Sequence, residues 1–219
     1  MSSAPESDRI LILDYGSQYT QLIARRIREK HVYCEIQPPS FGLERVREWR
    51  PAGIILSGGP SSVLDSGAPD VDPGIVDLGV PVLGICYGLQ LLAHRLGGLV
   101  EKADDHEYGR ALLKIEREDP FFANLPDGAE RVVWMSHGDR VLRLPEGFEV
   151  LGTSQHSPFA AIRHGERPVW GVQFHPEVAH TESGARMLAN FVHDICGCGG
   201  SWTMEAFIEQ TVNEVRERV

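Results

Sequence analysis

The sequence predicts an α/β fold, a mainly parallel open sheet with helices on both faces, followed by a set of short antiparallel strands in the second half. Three observations predict it. Ile10 to Leu13 (ILIL), Gly53 to Leu56 (GIIL) and the run entering Cys86 (PVLGI) are short and uninterruptedly apolar, as strands buried on both faces are. Segments with helical apolar spacing separate them, and strands alternating with helices wind into a parallel sheet. From about Gly109 the rhythm changes to short segments rich in β-branched and aromatic residues, punctuated by Pro and Gly.

Taken in order, Ile10 to Leu13 reads as the first strand and ends in Asp14-Tyr15-Gly16-Ser17, a turn. A helix follows from about Gln18 to Lys30, and its Arg25, Arg26 and Arg28 read as a solvated face. Val32 to Ile36 is the second strand, Leu43 to Trp49 a short helix, and Gly53 to Leu56 a third strand that ends in Ser57-Gly58-Gly59-Pro60. Pro81 to Gln90 (PVLGICYGLQ) holds a fourth strand, a sharp turn and the start of a buried helix. RVVWM, VLRL, FEVLGTS, PFAAIRH and PVWGVQF then read as antiparallel strands, the last of them Pro168 to Phe174. A helix from about Ser183 to Ile195 closes the domain, with Met187, Leu188, Phe191, Val192 and Ile195 on its apolar face. Glycines 197, 199 and 200 mark a linker, so residues 1–195 are expected to be one domain and 196–219 a connection out of it. The charged amphipathic segment from Trp202 to Val219 has no evident home in the core.

Composition narrows the function classes. The 219 residues carry a net charge of −10 and show no basic stripe, which argues against a nucleic-acid surface. No run approaches the ~18 apolar residues of a membrane span, and the polar start MSSAPESDR is unlike a signal peptide. Four cysteines, at 34, 86, 196 and 198, do not form a disulfide framework in a chain of this length, and a reduced, cytoplasmic setting is expected. Cys196 and Cys198 offer only half a tetrahedral metal shell, and no metal site is expected.

The chemistry gathers at Cys86. Gly84 and Gly88 flank it two residues away on each side, where a Cβ would obstruct the close crossing of strand and helix in a nucleophile elbow. Such an elbow lifts the side chain above the sheet edge at the positive end of a helix, where a thiolate is favoured over a thiol. A cysteine nucleophile needs a base and a group that orients the base. His94 lies on the wrong side of its helix, and His31, His106, His156, His164 and His193 sit in surface-like settings. His175 ends an apolar strand, is followed by Pro176, and has Glu177 two residues on, so an extended chain points both side chains the same way. Cys86, His175 and Glu177 are therefore the candidate nucleophile, base and orienting carboxylate. The N–H of Tyr87, next after the nucleophile, and that of Gly59 in the neighbouring Gly-rich turn are the candidate oxyanion donors.

These blocks resemble the class I, or triad, glutamine amidotransferases, which carry a G-x-C-x-G-x-Q elbow, here Gly84 to Gln90, and a downstream His-Pro-Glu, here His175 to Glu177. LDYGSQY at 13–19, LSGGPSSV at 56–63, WMSHGD at 134–139 and GVQFHPEVAHT at 171–181 extend the resemblance over nearly the whole chain. It implies a flavodoxin-like sheet, and hydrolysis of glutamine to glutamate and ammonia through a glutamyl thioester on Cys86. It also implies that Gln90 lines the glutamine pocket, that Asp139 pairs with the substrate α-amino group, and that Ser136 lies beside its carboxylate. The branch it most resembles is followed by an ATP pyrophosphatase domain that adenylates XMP and consumes the ammonia, in a homodimeric enzyme. No cofactor is expected in the present domain, ATP and Mg2+ being expected only in that further domain. The competing readings are a stand-alone γ-glutamyl cysteine hydrolase and a non-catalytic regulatory subunit.

Overall fold

The structure, a computed structural model, describes residues 8–125, 130–205, 207, 208, 212 and 216. Among these, nine strands form one sheet: β1 (Arg9–Leu13), β2 (Tyr33–Gln37), β3 (Gly53–Leu56), β4 (Val82–Ile85), β5 (Leu99–Ile115), β6 (Glu130–Arg143), β7 (Phe148–Thr153), β8 (Ala161–His164) and β9 (Val169–Val172). Their order is β2-β1-β3-β4-β9-β8-β7-β5-β6. The helices are α1 (Thr20–Arg28), α2 (Leu43–Trp49), α3 (Tyr87–Arg95) and α4 (Gly184–Ala189), the last continuing as a π-helical turn over Asn190–Ile195.

The apolar runs form strands because both faces of the sheet are covered. Ile10 and Ile12 face a layer built with Ile23 and Ile27 of α1 and Met187 and Leu188 of α4. Leu11 and Leu13 face the opposite layer, with Val46 of α2 and Leu89 and Leu92 of α3. Burying one such aliphatic side chain contributes about 1.5–3 kcal/mol, so a polar residue anywhere in ILIL has no favourable side to point to. α1 begins at Thr20, two residues later than expected, where the Thr20 hydroxyl donates to Asp14 Oδ1 at 2.7 Å and ties the helix to the end of β1.

Three expectations are corrected. β9 is not antiparallel throughout: it pairs parallel with β4, Val82 opposite Val169 and Ile85 opposite Val172, and antiparallel only with β8. It thus completes a five-stranded parallel core, and its strand end, His175, lies beside that of β4. RVVWM and VLRL belong to one strand, β6, paired with a β5 that starts at Leu99, ten residues before Gly109. The pair is an edge ribbon in which buried and part-exposed positions alternate along β6, so it is covered on one face and lacks the two-sided burial of the core strands. Trp202 does have a home: its N–H donates to the His31 carbonyl at 2.9 Å and its ring packs on Tyr33. Most of the predicted segment beyond it, like the side chain of His106, lies outside the described residues. No described helix is long and apolar enough to cross a membrane.

Cys196 and Cys198 are packing residues. Cys196 Sγ fills the space beside Gly53, and burial pushes both thiols up, Cys198 to about 12 with the help of Asp8. Among the described residues no cluster of three or more His, Cys, Asp or Glu side chains is arranged for a metal ion.

Candidate active site

Four carboxyl ends of parallel strands converge on one edge of the sheet, where ligands of such folds bind. They bring Asp14 to Tyr19 after β1, Ser57 to Pro60 after β3, Cys86 after β4 and His175 to Glu177 after β9.

Cys86 sits at the apex of a strained turn, with φ 52° and ψ −104°, which a non-glycine residue rarely adopts. The surroundings impose it. Cys86 N–H donates to Val172 O at 2.8 Å, which anchors the turn to β9, and Gly88 N–H donates to Ser57 O at 3.1 Å, which anchors it to the loop after β3. A Cβ on Gly84 would lie 2.7 Å from the Gly88 carbonyl, and one on Gly88 would lie 2.4 Å from Leu56 O, so both glycines are sterically required. Ser57 locks the loop in turn, its Oγ accepting from Tyr15 N at 2.9 Å and donating to Gly58 O at 2.8 Å.

A cavity of about 500 Å³ opens above the elbow, in the range of small-molecule sites. Cys86, Gly59, Gln90, Ser136, Asp139 and His175 all line it. Glu177 stands behind His175, fully buried, with Oε1 2.7 Å from His175 Nδ1. That contact occupies Nδ1 and leaves Nε2 unengaged by Glu177, and His175 and Cys86 line the same cavity. Burial alone disfavours the imidazolium, yet the hydrogen bonds to Cys86 and Glu177 and the negative charge of both outweigh it and raise His175 to about 10. The Tyr19 ring meets the imidazole edge-on, 5.1 Å between centroids.

Tyr87 opens α3, so its N–H is one of the first-turn donors without an intrahelical acceptor. Its side chain turns away from the cavity, the hydroxyl donating to Pro69 O. Ser136 lies on the alternate face of β6 from Asp139, and its carbonyl is 3.5 Å from Cys86 Sγ. Asp139 is on the strand rather than in a turn. It is 7 % exposed, and its Oδ2 has no hydrogen-bond partner among the described residues. An orphaned buried carboxylate oxygen is costly unless a donor or a cation meets it.

Residues 11–195 match the family model for Glutamine amidotransferase class-I. The chain belongs to that family. GMP synthase (glutamine-hydrolyzing) of Staphylococcus aureus strain JH9 is 52 % identical over 219 residues, all of this chain and 42 % of that protein. The chain thus spans less than half the length of the curated relatives it matches. Among solved structures, a Thermoplasma acidophilum protein described as one subunit of a GMP synthase is 32 % identical with a TM-score of 0.74, over 86 % of this chain and 94 % of that one. A glutamine amidotransferase from Thermotoga maritima is 25 % identical with a TM-score of 0.64, over 85 % and 81 %.

Four residues around the candidate site carry roles that their place in the chain does not announce. Arg26 is not merely solvated: its Nε donates to the Glu177 carbonyl at 3.1 Å, 151 residues away. Thr181 donates to His175 O at 2.6 Å and accepts from Trp134 N at 3.0 Å. His137 is buried in the cavity wall against Glu107 at 3.1 Å. A signal for His137 was present, since Val133, Met135, His137, Asp139 and Val141 alternate along the inward face of β6.

Proposed function

We propose that this chain hydrolyses glutamine to glutamate and ammonia through Cys86, His175 and Glu177, and that it is the ammonia-supplying unit of a longer chain that converts XMP to GMP. The observation that carries the reading is the buried His175, bonded to Glu177 through Nδ1 and lining one cavity with Cys86 at the apex of its strained elbow.

With its proton on His175, the Cys86 sulfur attacks the glutamine carboxamide carbon and the carbonyl becomes an oxyanion. The N–H groups of Gly59 and Tyr87 are the donors assigned to that oxygen. As the intermediate collapses the C–N bond breaks, and the His175 imidazolium gives its proton to the departing nitrogen, which leaves as ammonia. The now neutral His175 takes a proton from water as the water attacks the glutamyl thioester, and collapse of the second intermediate returns the sulfur beside an imidazolium. Glu177 keeps the ring in one orientation and stabilises its charged form in both steps. Asp139 takes the α-ammonium group, Gln90 shapes the pocket beside it, and the Ser136 region receives the α-carboxylate.

Within that reading residues 1–195 are the amidotransferase domain and 196–219 lead to an ATP pyrophosphatase domain, where ATP and Mg2+ act. The 42 % share of the GMP synthase relatives supports this division. Ammonia release from glutamine, measured with and without Cys86→Ala, tests the chemistry. Release that survives the substitution would refute it, and GMP formation from XMP, ATP and glutamine by residues 1–219 alone would refute the division.

A further inference from the structure

His137 and Glu107 form a buried acid–base pair to which the reaction assigns no step. They face each other across the β5–β6 ribbon at a shift in register, where Lys102 pairs with Asp139 and Glu107 pairs with His137. Their exposures are 6 % and 8 %. His137 Nδ1 is 2.9 Å from the Asp139 backbone carbonyl, and a carbonyl only accepts, so Nδ1 carries a proton. Nε2 lies 3.1 Å from Glu107 Oε2, and Glu107 Oε1 accepts from the Ser154 hydroxyl at 3.2 Å. The ring is thereby held at both nitrogens.

The Asp139 carbonyl receives a second hydrogen bond, from Gln90 Nε2 at 2.8 Å, and Gln90 Nε2 also lies 3.3 Å from Gln173 Oε1. An irregular stretch of strand is a soft place to mount a ligand-binding carboxylate. Two donors converging on one carbonyl, each held from behind by another side chain, remove that softness. What they hold in place is Asp139, a residue of the cavity lining whose buried Oδ2 has no partner among the described residues.

We propose that His137, clamped by Glu107, is a positioning residue that aims the Asp139 carboxylate at the α-ammonium group of glutamine. This rests on the proposed role of Asp139. The α-ammonium is remote from the carboxamide, so its contact is much the same in ground and transition states, and loss of aim weakens binding without slowing the chemical step.

Glutamine binding to the Cys86→Ala protein by calorimetry tests this independently of turnover, alongside kinetics in the wild-type background. His137→Leu is expected to weaken glutamine binding roughly 10- to 100-fold, the range for a mis-set charged hydrogen bond, and to leave kcat within about twofold. His137→Asn places an amide N–H where Nδ1 sits, and is expected to recover most of the affinity. 4-Carbamoylbutanoate, which is glutamine without its amino group, is expected to bind equally well with and without the His137→Leu substitution. Unchanged glutamine affinity in His137→Leu, equal loss for both ligands, or no recovery with Asn would each overturn the proposal. Glutamine bound with unchanged affinity by Asp139→Asn would overturn the role of Asp139 beneath it, whereas absence of ammonia release from the wild type would count against the catalytic reading.

Discussion

Replacing Gly88 by Ala probes the elbow where its packing is tightest. The added Cβ would lie 2.4 Å from the Leu56 carbonyl oxygen, 2.8 Å from Leu56 Cβ and 2.9 Å from Leu56 C. Ordinary contact begins near 3.4 Å, so the start of α3 must lift from β3 by about 1 Å. The neighbours are the Leu56 backbone and the Cβ fixed to it, which cannot swing aside. The lift also stretches the bond from Gly88 N to Ser57 O, which joins the elbow to the loop bearing Gly59. Overpacking of this kind costs about 1–3 kcal/mol. Alanine is the better helix former by about 1 kcal/mol, which offsets part of that loss but none of the displacement. A misplacement of about 1 Å at reacting atoms costs on the order of 100-fold in rate. Activity should therefore fall further than stability. Urea unfolding reads the first effect, and ammonia release and labelling of Cys86 by diazo-oxo-norleucine read the second. Gly165→Ala is the control, since its Cβ would meet nothing closer than 3.5 Å at ordinary φ. Wild-type unfolding midpoint and rate in Gly88→Ala would refute the close-crossing argument.

Two further outcomes follow from the same geometry. Glu177→Gln removes a negative charge that helps raise His175 to about 10 and leaves only a neutral amide oxygen to accept from Nδ1, so an NMR titration of the ring should show its pKa falling, and ammonia release should drop about 100-fold or more. Because the folded-state pKa lies above the ordinary 6.5, the stability His175 contributes is fully present below pH 6.5 and is lost as pH rises towards 10; the stability gap between wild type and Glu177→Gln should narrow over that window, and a constant gap would contradict the assignment. Thr181→Val leaves the His175 carbonyl and the Trp134 N–H unpaired, for a loss of about 1–3 kcal/mol in urea unfolding together with a lower kcat, whereas Thr181→Ser keeps both bonds and should behave as wild type.

Local covalent and steric chemistry was readable from the chain. Gly84, Cys86 and Gly88 specify an elbow because the obstruction lies within a few residues of the cysteine, and ILIL and GIIL specify strands because two-sided burial leaves no polar position. His-Pro-Glu was readable for a similar reason, its two side chains being neighbours on one short stretch. Partnership between distant segments was less legible. Nothing local to Val169–Val172 says that it inserts beside β4, 87 residues earlier in register, because a short apolar strand fits either pairing direction. Arg26 and Arg28 read as a solvated helix face with Arg25, and nothing local says that they reach the Glu177 and Cys34 carbonyls.

The elbow at Cys86, the His175-Pro176-Glu177 turn and the first four parallel strands were therefore legible in the chain, since each depends on contacts within a few residues or on burial of both faces of one short run. Folding in three dimensions sets which strand ends meet, braces the His175–Glu177 turn with Thr181 and Arg26, and brings His137 and Glu107 together behind the Asp139 carbonyl. Arg26 with Glu177, Thr181 with Trp134 and His137 with Glu107 join residues tens of positions apart, and side chains that share a site through folding leave no fixed spacing in the chain.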